Sequence, residues 1–209
     1  MIEYVVKNNV DDRIISRAVN ILNENGLVAY PTDTSWGIGC SSRSKEGIVK
    51  LLALKGDPKY YTVTLMCHSI SQVSDITELS SPNFRFIKRY IPGPYVFILP
   101  ALKSVEKKIN MKRSEIGIRI PNNEIPTTLS RRLDAPLLSV SASRKMTETG
   151  WWSATYAEEN LFDYGYELED IPGIGLIIDT GEAMPKILST VINLTSGEFE
   201  VVRKGAGEL

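Results

Sequence analysis

Hydroxyl-rich or basic clusters follow the apolar, strand-like stretches of this 209-residue chain. In chain order they are PTDTSWGIGC from Pro31, RIP at Arg119, SVSAS at Ser139, STV at Ser189 and RKG at Arg203, with Lys55 at the end of a helix. Ligands of open α/β sheets bind beyond the carboxyl ends of strands, so we expect several of these clusters to meet there. Basic groups and hydroxyls without a nucleophile and base pair would cradle phosphates or carboxylates, and would suit reactions driven by positioning and charge stabilisation.

Taken one at a time, these residues have simpler explanations. Residues 32–34 follow a proline and are typical of turns and caps. Lys55 would favour the dipole at a helix C-terminus, and Ser139 and Ser141 would bond to backbone groups. Arg119 is harder to explain in this way, because an arginine between apolar strand residues needs an anion or a carbonyl partner.

The residue types exclude several kinds of catalytic site. The single histidine, His68, lies beside Cys67 in a predicted strand, where neighbouring side chains point to opposite faces, so a Cys–His dyad is not expected. No clustered zinc ligands, G-x-S-x-G motif or P-loop motif occurs in the sequence. Cys40 and Cys67 are too few for a disulfide framework, and we expect buried thiols in a reducing cytoplasm.

Strand and helix patterns alternate along the chain, which predicts the α/β class with a twisted mixed sheet and flanking helices. Capped stretches of helical spacing predict helices at 11–25, 44–54, 81–90 and 125–133. Apolar runs predict strands at 2–6, 27–30, 63–67, 95–99, 116–120, 137–140, 174–178, 191–194 and 199–202.

The remaining organisation of the chain is simple. Segment 151–170 holds six acidic residues, six aromatics and no basic residue; it is interpreted as a surface helix in preference to a lid over a site. No repeat, low-complexity tract or linker divides the sequence, so residues 1–209 are predicted to form a single domain. The absence of a signal-type apolar segment or a long apolar span predicts a soluble, unexported protein without a membrane partner.

The order of the clusters resembles the YrdC-like family of threonylcarbamoyl-AMP synthases. Its motifs are P-T-[DE]-T-x-[YW]-G-[IL]-G, K-x-R-P, P-G-P-x-T, R-x-P, S-x-S-A-N, S-T-[VI] and R-x-G. The corresponding positions here are 31–39, 55–58, 92–96, 119–121, 139–143, 189–191 and 203–205. The match covers almost the whole chain, and seven short motifs in order are far more specific than one.

The resemblance implies a single α/β domain whose twisted sheet surrounds a large open cavity. It also implies that L-threonine, bicarbonate and ATP react, with Mg²⁺, to threonylcarbamoyl-AMP and pyrophosphate, the first step towards the threonylcarbamoyl group on tRNA adenosine. Because 209 residues leave no room for the second domain of longer relatives, the chain resembles the short form, which needs partner proteins to complete the tRNA modification.

The resemblance also assigns roles to individual residues. Lys55 and Arg119 would hold carboxylate or phosphate charge, and Trp36, in the place of the usual tyrosine, would form a wall of the pocket. Arg203 would close on the nucleotide. The residues that would hydrogen-bond substrate or orient the adenylate are Thr32, Thr34, Ser139, Ser141, Ser143 and Ser189. Within the whole set, Thr34, Lys55 and Ser141 take the catalytic roles.

Three positions depart from the family motifs. Asp57 replaces the arginine of K-x-R-P, Ser143 replaces the asparagine of S-A-N, and Val96 replaces the threonine of P-G-P-x-T. A carboxylate near substrate phosphates would weaken catalysis, unless Asp57 holds Mg²⁺. The stretch VTLMCHSISQV from Val63, with PGPYVFIL from Pro92, resembles the YciO branch of the same superfamily. Members of that branch keep the fold and the basic cavity but lack parts of the synthase signature.

An alternative function is a nucleotide- or RNA-binding module without synthase activity, with tRNA or double-stranded RNA as partner. The chain has 24 Lys and Arg against 25 Asp and Glu, so a nucleic-acid contact must use a local patch. Such a patch of basic residues around a single Glu106 consists of Lys103, Lys107, Lys108, Lys112 and Arg113. A solvated loop explains the same residues equally well, and within the patch the RNA contacts are predicted at Lys107, Lys108, Lys112 and Arg113.

Overall fold

The computed structural model describes residues 1–6, 9–55, 64–105, 114–147 and 158–209. Within these ranges ten strands form one mixed sheet in the order β1-β8-β2-β3-β7-β4-β6-β5-β9-β10. The strands are β1 Ile2–Tyr4, β2 Leu27–Pro31, β3 Trp36–Ser41, β4 Thr64–Met66, β5 Tyr95–Pro100, β6 Glu115–Arg119, β7 Leu137–Ser141, β8 Ile174–Asp179, β9 Thr190–Asn193 and β10 Glu200–Arg203. The helices are α1 Asp12–Asn23, α2 Lys45–Lys55, α3 Ile70–Ser74, α4 Ser81–Ile87 and α5 Glu124–Arg132.

Short polar side chains begin these helices, as the sequence predicts. The Asp11 carboxylate caps α1 by accepting from the backbone N–H of Arg13 at 2.8 Å, and Ser44 caps α2 by accepting from the N–H of Gly47 at 2.8 Å. The predicted cap of α4 is off by one residue, because Ser80 accepts from the N–H of Asn83 at 3.3 Å. Helix α4 also ends at Ile87, before the predicted end at residue 90.

Helices cover both faces of the sheet, and the sheet separates two apolar layers. One layer packs Ile15, Ala18 and Leu22 of α1 and Leu129 of α5 against strand residues such as Val28. The other layer joins apolar residues of α2, α3 and α4 to the opposite side chains of the same strands. This three-layer arrangement is the predicted α/β class, and it explains why strands such as β2 are buried along their whole length.

The nine predicted strands are present with small shifts at their ends, and one further strand, β3, was not predicted. Strand β3 lies inside the cluster that begins at Pro31, where Gly37 and Gly39 interrupt the apolar pattern. Both glycines are needed because a Cβ at Gly39 would lie 2.7 Å from the Tyr30 hydroxyl, and one at Gly37 would lie 2.8 Å from the Tyr30 ring. The short helix α3 was also missed.

The interpretation of segment 151–170 as a surface helix is wrong over the part that the structure describes. Residues 151–157 lie outside the described ranges. From there, two short 3₁₀ turns, Glu158–Asn160 and Gly165–Leu168, replace a continuous helix. Leu161, Phe162 and Leu168 are fully buried, so the segment packs against the body of the protein.

Both cysteines are buried thiols, as predicted. Burial raises the pKa of Cys40 to about 12 and raises the pKa of Cys67 as well. Within the described ranges no helix is long and apolar enough to cross a membrane.

Candidate functional site

The turn that follows β2 is built around the hydroxyl of Thr32. Its Oγ1 accepts from the backbone N–H groups of Thr34 at 3.1 Å and Ser35 at 3.2 Å. The same hydroxyl donates to the Ser35 carbonyl oxygen at 2.7 Å. Thr32 therefore has a turn-forming role in this structure, the simpler of the two explanations that the sequence allowed.

Arg119, the last residue of β6, joins this turn to a distant strand. Its Nη1 donates to Thr34 Oγ1 at 3.0 Å and to Ser189 Oγ at 2.5 Å. Its Nη2 forms an ion pair with Asp33. The side chain is only 4% exposed, so the partner that its strand position demanded is a carboxylate of the protein itself. Burial lowers the pKa of Arg119, and the charge of Asp33 opposes that shift.

We call Arg119 and its three partners Asp33, Thr34 and Ser189 the Arg119 clamp, and this clamp orients the hydroxyl of Ser189. Ser189 Oγ accepts from Arg119, so its own hydrogen is directed away from the guanidinium. A serine hydroxyl supported in this way is a good donor to an anionic oxygen. The structure thus brings Thr34, Arg119 and Ser189 together from three separate sequence clusters. Asp33 Oδ2 and Arg119 Nε have no hydrogen-bond partner among the residues that the structure describes.

The serines of β7 lie beside the same turn. Ser139 pairs with Gly39 and Ser141 with Gly37 across the antiparallel β3–β7 ladder. The buried Tyr30 hydroxyl donates to Ser139 Oγ at 2.8 Å, and burial raises the pKa of Tyr30, so this phenol keeps its proton. Alternation along β7 places Ser139 and Ser141 on one face of the sheet.

Ser143 follows two residues beyond Ser141 and is buried. Its carbonyl oxygen accepts from the N–H of Met146 at 2.9 Å. Its backbone therefore begins the short 3₁₀ turn Arg144–Thr147.

Arg203 at the end of β10 is held by Ser189, the residue directly before β9. Its Nε and Nη2 donate to the Ser189 carbonyl oxygen at 3.1 and 2.8 Å. Next to it, Thr190 Oγ1 accepts from the N–H groups of Gly205 and Gly207, both at 3.0 Å. The C-terminal residues are thereby fastened along β9, and Ser189 becomes the point where Arg119 and Arg203 meet.

The described part of the acidic segment 151–170 packs beside Ser189 and the turn that follows β2. Glu158 Oε1 accepts from the N–H of Leu188 at 3.0 Å, immediately before Ser189. Trp36 donates through Nε1 to the Asp163 carbonyl oxygen at 3.4 Å. Trp36 is 0% exposed and shares its strand face with Ile38 and Cys40. The indole is therefore packed into the core, and the expectation that Trp36 forms a wall of the pocket stays a prediction.

Glu167 holds the acidic segment in place, and the ionisation of its carboxyl group should contribute to the free energy of unfolding. Burial would raise its pKa, but the N–H of Tyr164 and the Arg144 guanidinium outweigh burial, so the pKa is below its usual range. Because the folded pKa is depressed, the contribution is present above about pH 4.5 and is lost as pH falls through the folded pKa. We expect Glu167→Gln to lower the free energy of unfolding by about 1–2 kcal/mol at pH 7.

Urea unfolding at pH 7 and at about pH 3.5 measures this effect, and the difference from the unmodified protein should shrink at the lower pH. The exposed neighbour Glu169 provides the control, since Glu169→Gln should change little at either pH. A Glu167→Gln effect of equal size at both pH values would contradict the assigned cause.

Several predicted site residues cannot be placed. Lys55 ends α2, but its side chain lies outside the described part of the structure, as does Asp57. The predicted RNA contacts Lys107, Lys108, Lys112 and Arg113 also lie outside the described residues.

The comparisons with known proteins agree with the fold and the motif order. A model of the Sua5, YciO and YrdC proteins, described as telomere recombination, matches residues 20–205. The chain belongs to this family. The uncharacterized protein YciO of Escherichia coli K12 is 32% identical over 207 residues, which are 99% of this chain and 96% of that protein. The crystal structure of E. coli YciO superposes with a TM-score of 0.84 at 31% identity and covers 100% of this chain and 97% of that one.

Relatives with a named activity match less completely. A threonylcarbamoyl-AMP synthase of Psychromonas ingrahamii is 31% identical over 137 residues, 64% of this chain and 72% of the synthase. The crystal structure of P. abyssi Sua5 complexed with L-threonine has a TM-score of 0.80 at 25% identity. It covers 98% of this chain and 57% of that one, so this member of the Sua5/YciO/YrdC family matches a little over half of that Sua5 chain.

Three residues that hold the site together were not predicted from the sequence. Asp33 was interpreted as a turn residue, although it carries the charge that neutralises Arg119. Glu158 was counted only as part of an acidic segment, and Thr190 was not singled out within the STV motif. A buried arginine in a strand was the one available signal, because it requires a partner of opposite charge somewhere in the fold.

Proposed function

We propose that this protein forms threonylcarbamoyl-AMP and pyrophosphate from L-threonine, bicarbonate and ATP, with activity weakened relative to synthases that carry the complete motifs. The observation that carries the proposal is the Arg119 clamp, which holds Thr34 and Ser189 in one hydrogen-bonded unit. The P. abyssi Sua5 relative, whose structure contains L-threonine, supports it. The tRNA adenosine would then receive the threonylcarbamoyl group with the help of partner proteins.

The described residues suggest how the site would bind the negatively charged groups of its substrates. Because Asp33 neutralises Arg119, the clamp offers oriented hydroxyl donors instead of a free cation. Ser189 would donate to the substrate carboxylate or phosphate, with Ser141 and Ser139 aligning the adenylate along β7. Lys55 and Arg203 would supply positive charge at the nucleotide. Such a site accelerates the reaction by positioning and by stabilising charge, without a covalent intermediate on the protein.

Mg²⁺ would accompany ATP as part of the substrate. Among the residues that the structure describes, no group of three His, Cys, Asp or Glu side chains could hold a metal ion. Phosphate oxygens and water would therefore provide most of its ligands, which is usual for this cation, and it would supply neutralisation of phosphate charge. Asp57 remains a candidate protein ligand from the sequence alone.

The direct test measures pyrophosphate release and adenylate formation with L-threonine, bicarbonate, Mg²⁺ and ATP. Neither product appearing would overturn the proposal. A calorimetric titration with ATP and then with L-threonine shows in addition whether both binding sites are present. Omission of L-threonine or bicarbonate should abolish adenylate formation, which separates this reaction from simple ATP hydrolysis.

Restoring two family residues should raise the activity. We expect Asp57→Arg with Ser143→Asn to increase adenylate formation about tenfold, since the change replaces a carboxylate near phosphate by a cation. The charge-matched control is Asp170→Arg, at an exposed position outside the family motifs. No gain over this control would show that these two departures do not limit the reaction.

A further inference from the structure

A groove outside the candidate site lies at the opposite end of β9 from Ser189. It has a volume of about 490 Å³, and its lining includes Arg85, Phe86, Arg89 and Phe199. We call it the α4–β10 groove. Its walls come from α4 and from the turn between β9 and β10, so it uses none of the residues of the candidate site.

Aromatic rings form a platform in this groove. The ring of Phe199 stacks on that of Phe86 with centroids 5.3 Å apart and an interplanar angle of 22°. Although it is large and apolar, Phe199 is 57% exposed. One face of the ring is thus covered by Phe86 while much of the residue stays open to a ligand, which is the arrangement by which proteins stack an unpaired base.

Two arginines flank the platform. The Arg89 guanidinium lies 5.3 Å from the centroid of Phe86, and both Arg85 and Arg89 are exposed. Neither forms an ion pair with a residue in the described ranges, and the groove lining contains no acidic side chain. Glu198 and Glu200 flank Phe199 in the chain, but neither of them lines the groove. The groove lining therefore combines a stacking surface with positive charge.

We infer that the α4–β10 groove binds single-stranded RNA, with a base stacked on Phe199 and the adjoining phosphates paired with Arg85 and Arg89. A phosphate group alone would leave the aromatic face unused, and a duplex keeps its bases stacked inside and unavailable to the ring. None of the lining residues is one of the lysines and arginine at which the sequence predicts RNA contacts, and the inference goes beyond the proposed synthase reaction.

Fluorescence anisotropy with a labelled single-stranded oligouridine tests the inference on the full chain. Phe199→Ala should weaken binding about tenfold, whereas Phe199→Tyr keeps the ring and should retain the affinity. Arg89→Ala should weaken binding and lower the salt dependence by about one counterion. The matched control is Arg131→Ala, which removes the same charge from an exposed site on α5 outside the groove and should leave binding unchanged.

Two further measurements test which form of RNA binds and whether it binds at this groove. A duplex of the same length should bind clearly more weakly than the single strand, and equal affinity would overturn the stacking assignment. Phe199→Trp should show fluorescence quenching on addition of RNA beyond that of the unmodified protein, as a stacked indole does. Binding that survives Phe199→Ala and Arg89→Ala, or that is lost only on Lys107→Glu with Lys108→Glu, would overturn the inference.

Discussion

Arg119→Met should destabilise the protein by about 3–5 kcal/mol, because it leaves the Asp33 carboxylate partly buried without its cation. The same change removes the donor that holds Thr34 and Ser189. The rate of ATP-dependent adenylate formation should therefore fall as well. Urea unfolding at pH 7 measures the first effect. The loss should be far larger than that caused by removing an exposed ion pair, such as the one between Arg13 and Asp11.

A double variant separates the effect of the unpaired Asp33 charge from the effect of losing the Arg119 side-chain contacts. Asp33→Asn combined with Arg119→Met removes both charges, so it should be more stable than Arg119→Met alone. It should nevertheless lack adenylate formation, since the hydroxyls of Thr34 and Ser189 have lost their common donor. If Arg119→Met changed the free energy of unfolding by less than about 1 kcal/mol, the clamp would not be the structural centre of the site.

Gly205→Ala should disturb the site from the C-terminal side. A Cβ at this position would lie 2.1 Å from the Leu188 carbonyl oxygen and 2.5 Å from the Ser189 carbonyl carbon, and both atoms belong to the backbone. The C-terminal residues would have to move away from β9. This movement would break the hydrogen bond from the Gly205 N–H to Thr190 Oγ1 and displace Arg203. We expect a loss of about 1–3 kcal/mol in the free energy of unfolding and weaker binding of ATP.

Thermal unfolding and calorimetric titration with ATP measure the two effects of Gly205→Ala. The neighbouring Lys204 is exposed, so Lys204→Ala is a control for a change in the same segment without a steric conflict. Unchanged stability together with unchanged ATP binding in Gly205→Ala would mean that the C-terminal residues do not hold Ser189 in place.

Local pattern predicted much of the fold. Apolar runs identified β2, β5, β7 and β8, because a strand buried on both faces needs uninterrupted hydrophobic residues. Caps identified the starts of α1 and α2. Strand β3 was not predicted because the glycines that let Tyr30 pack against it also interrupt the apolar sequence pattern of a strand.

The site could be predicted only as a set of clusters. Thr34 and Ser189 were selected from separate clusters, and the structure joins them through Arg119. Trp36 was assigned to the pocket by resemblance, and the structure places its indole in the core, in a strand that is buried on both faces. A shift of a single position reverses the face of a strand residue, and the local sequence does not specify that register when the strand itself is missed.

The amino-acid sequence by itself determined the α/β class, the positions of most strands and the family to which the motifs belong, because these depend on residues close together in the chain. Only the tertiary structure decided that Asp33 neutralises Arg119, 86 positions away, and that the C-terminal glycines pack against the strand of Ser189. Those contacts depend on the order of strands in the sheet. That order places β6 between β4 and β5 and beyond the hairpin of β2 and β3, and it is set by long-range packing that no local pattern records.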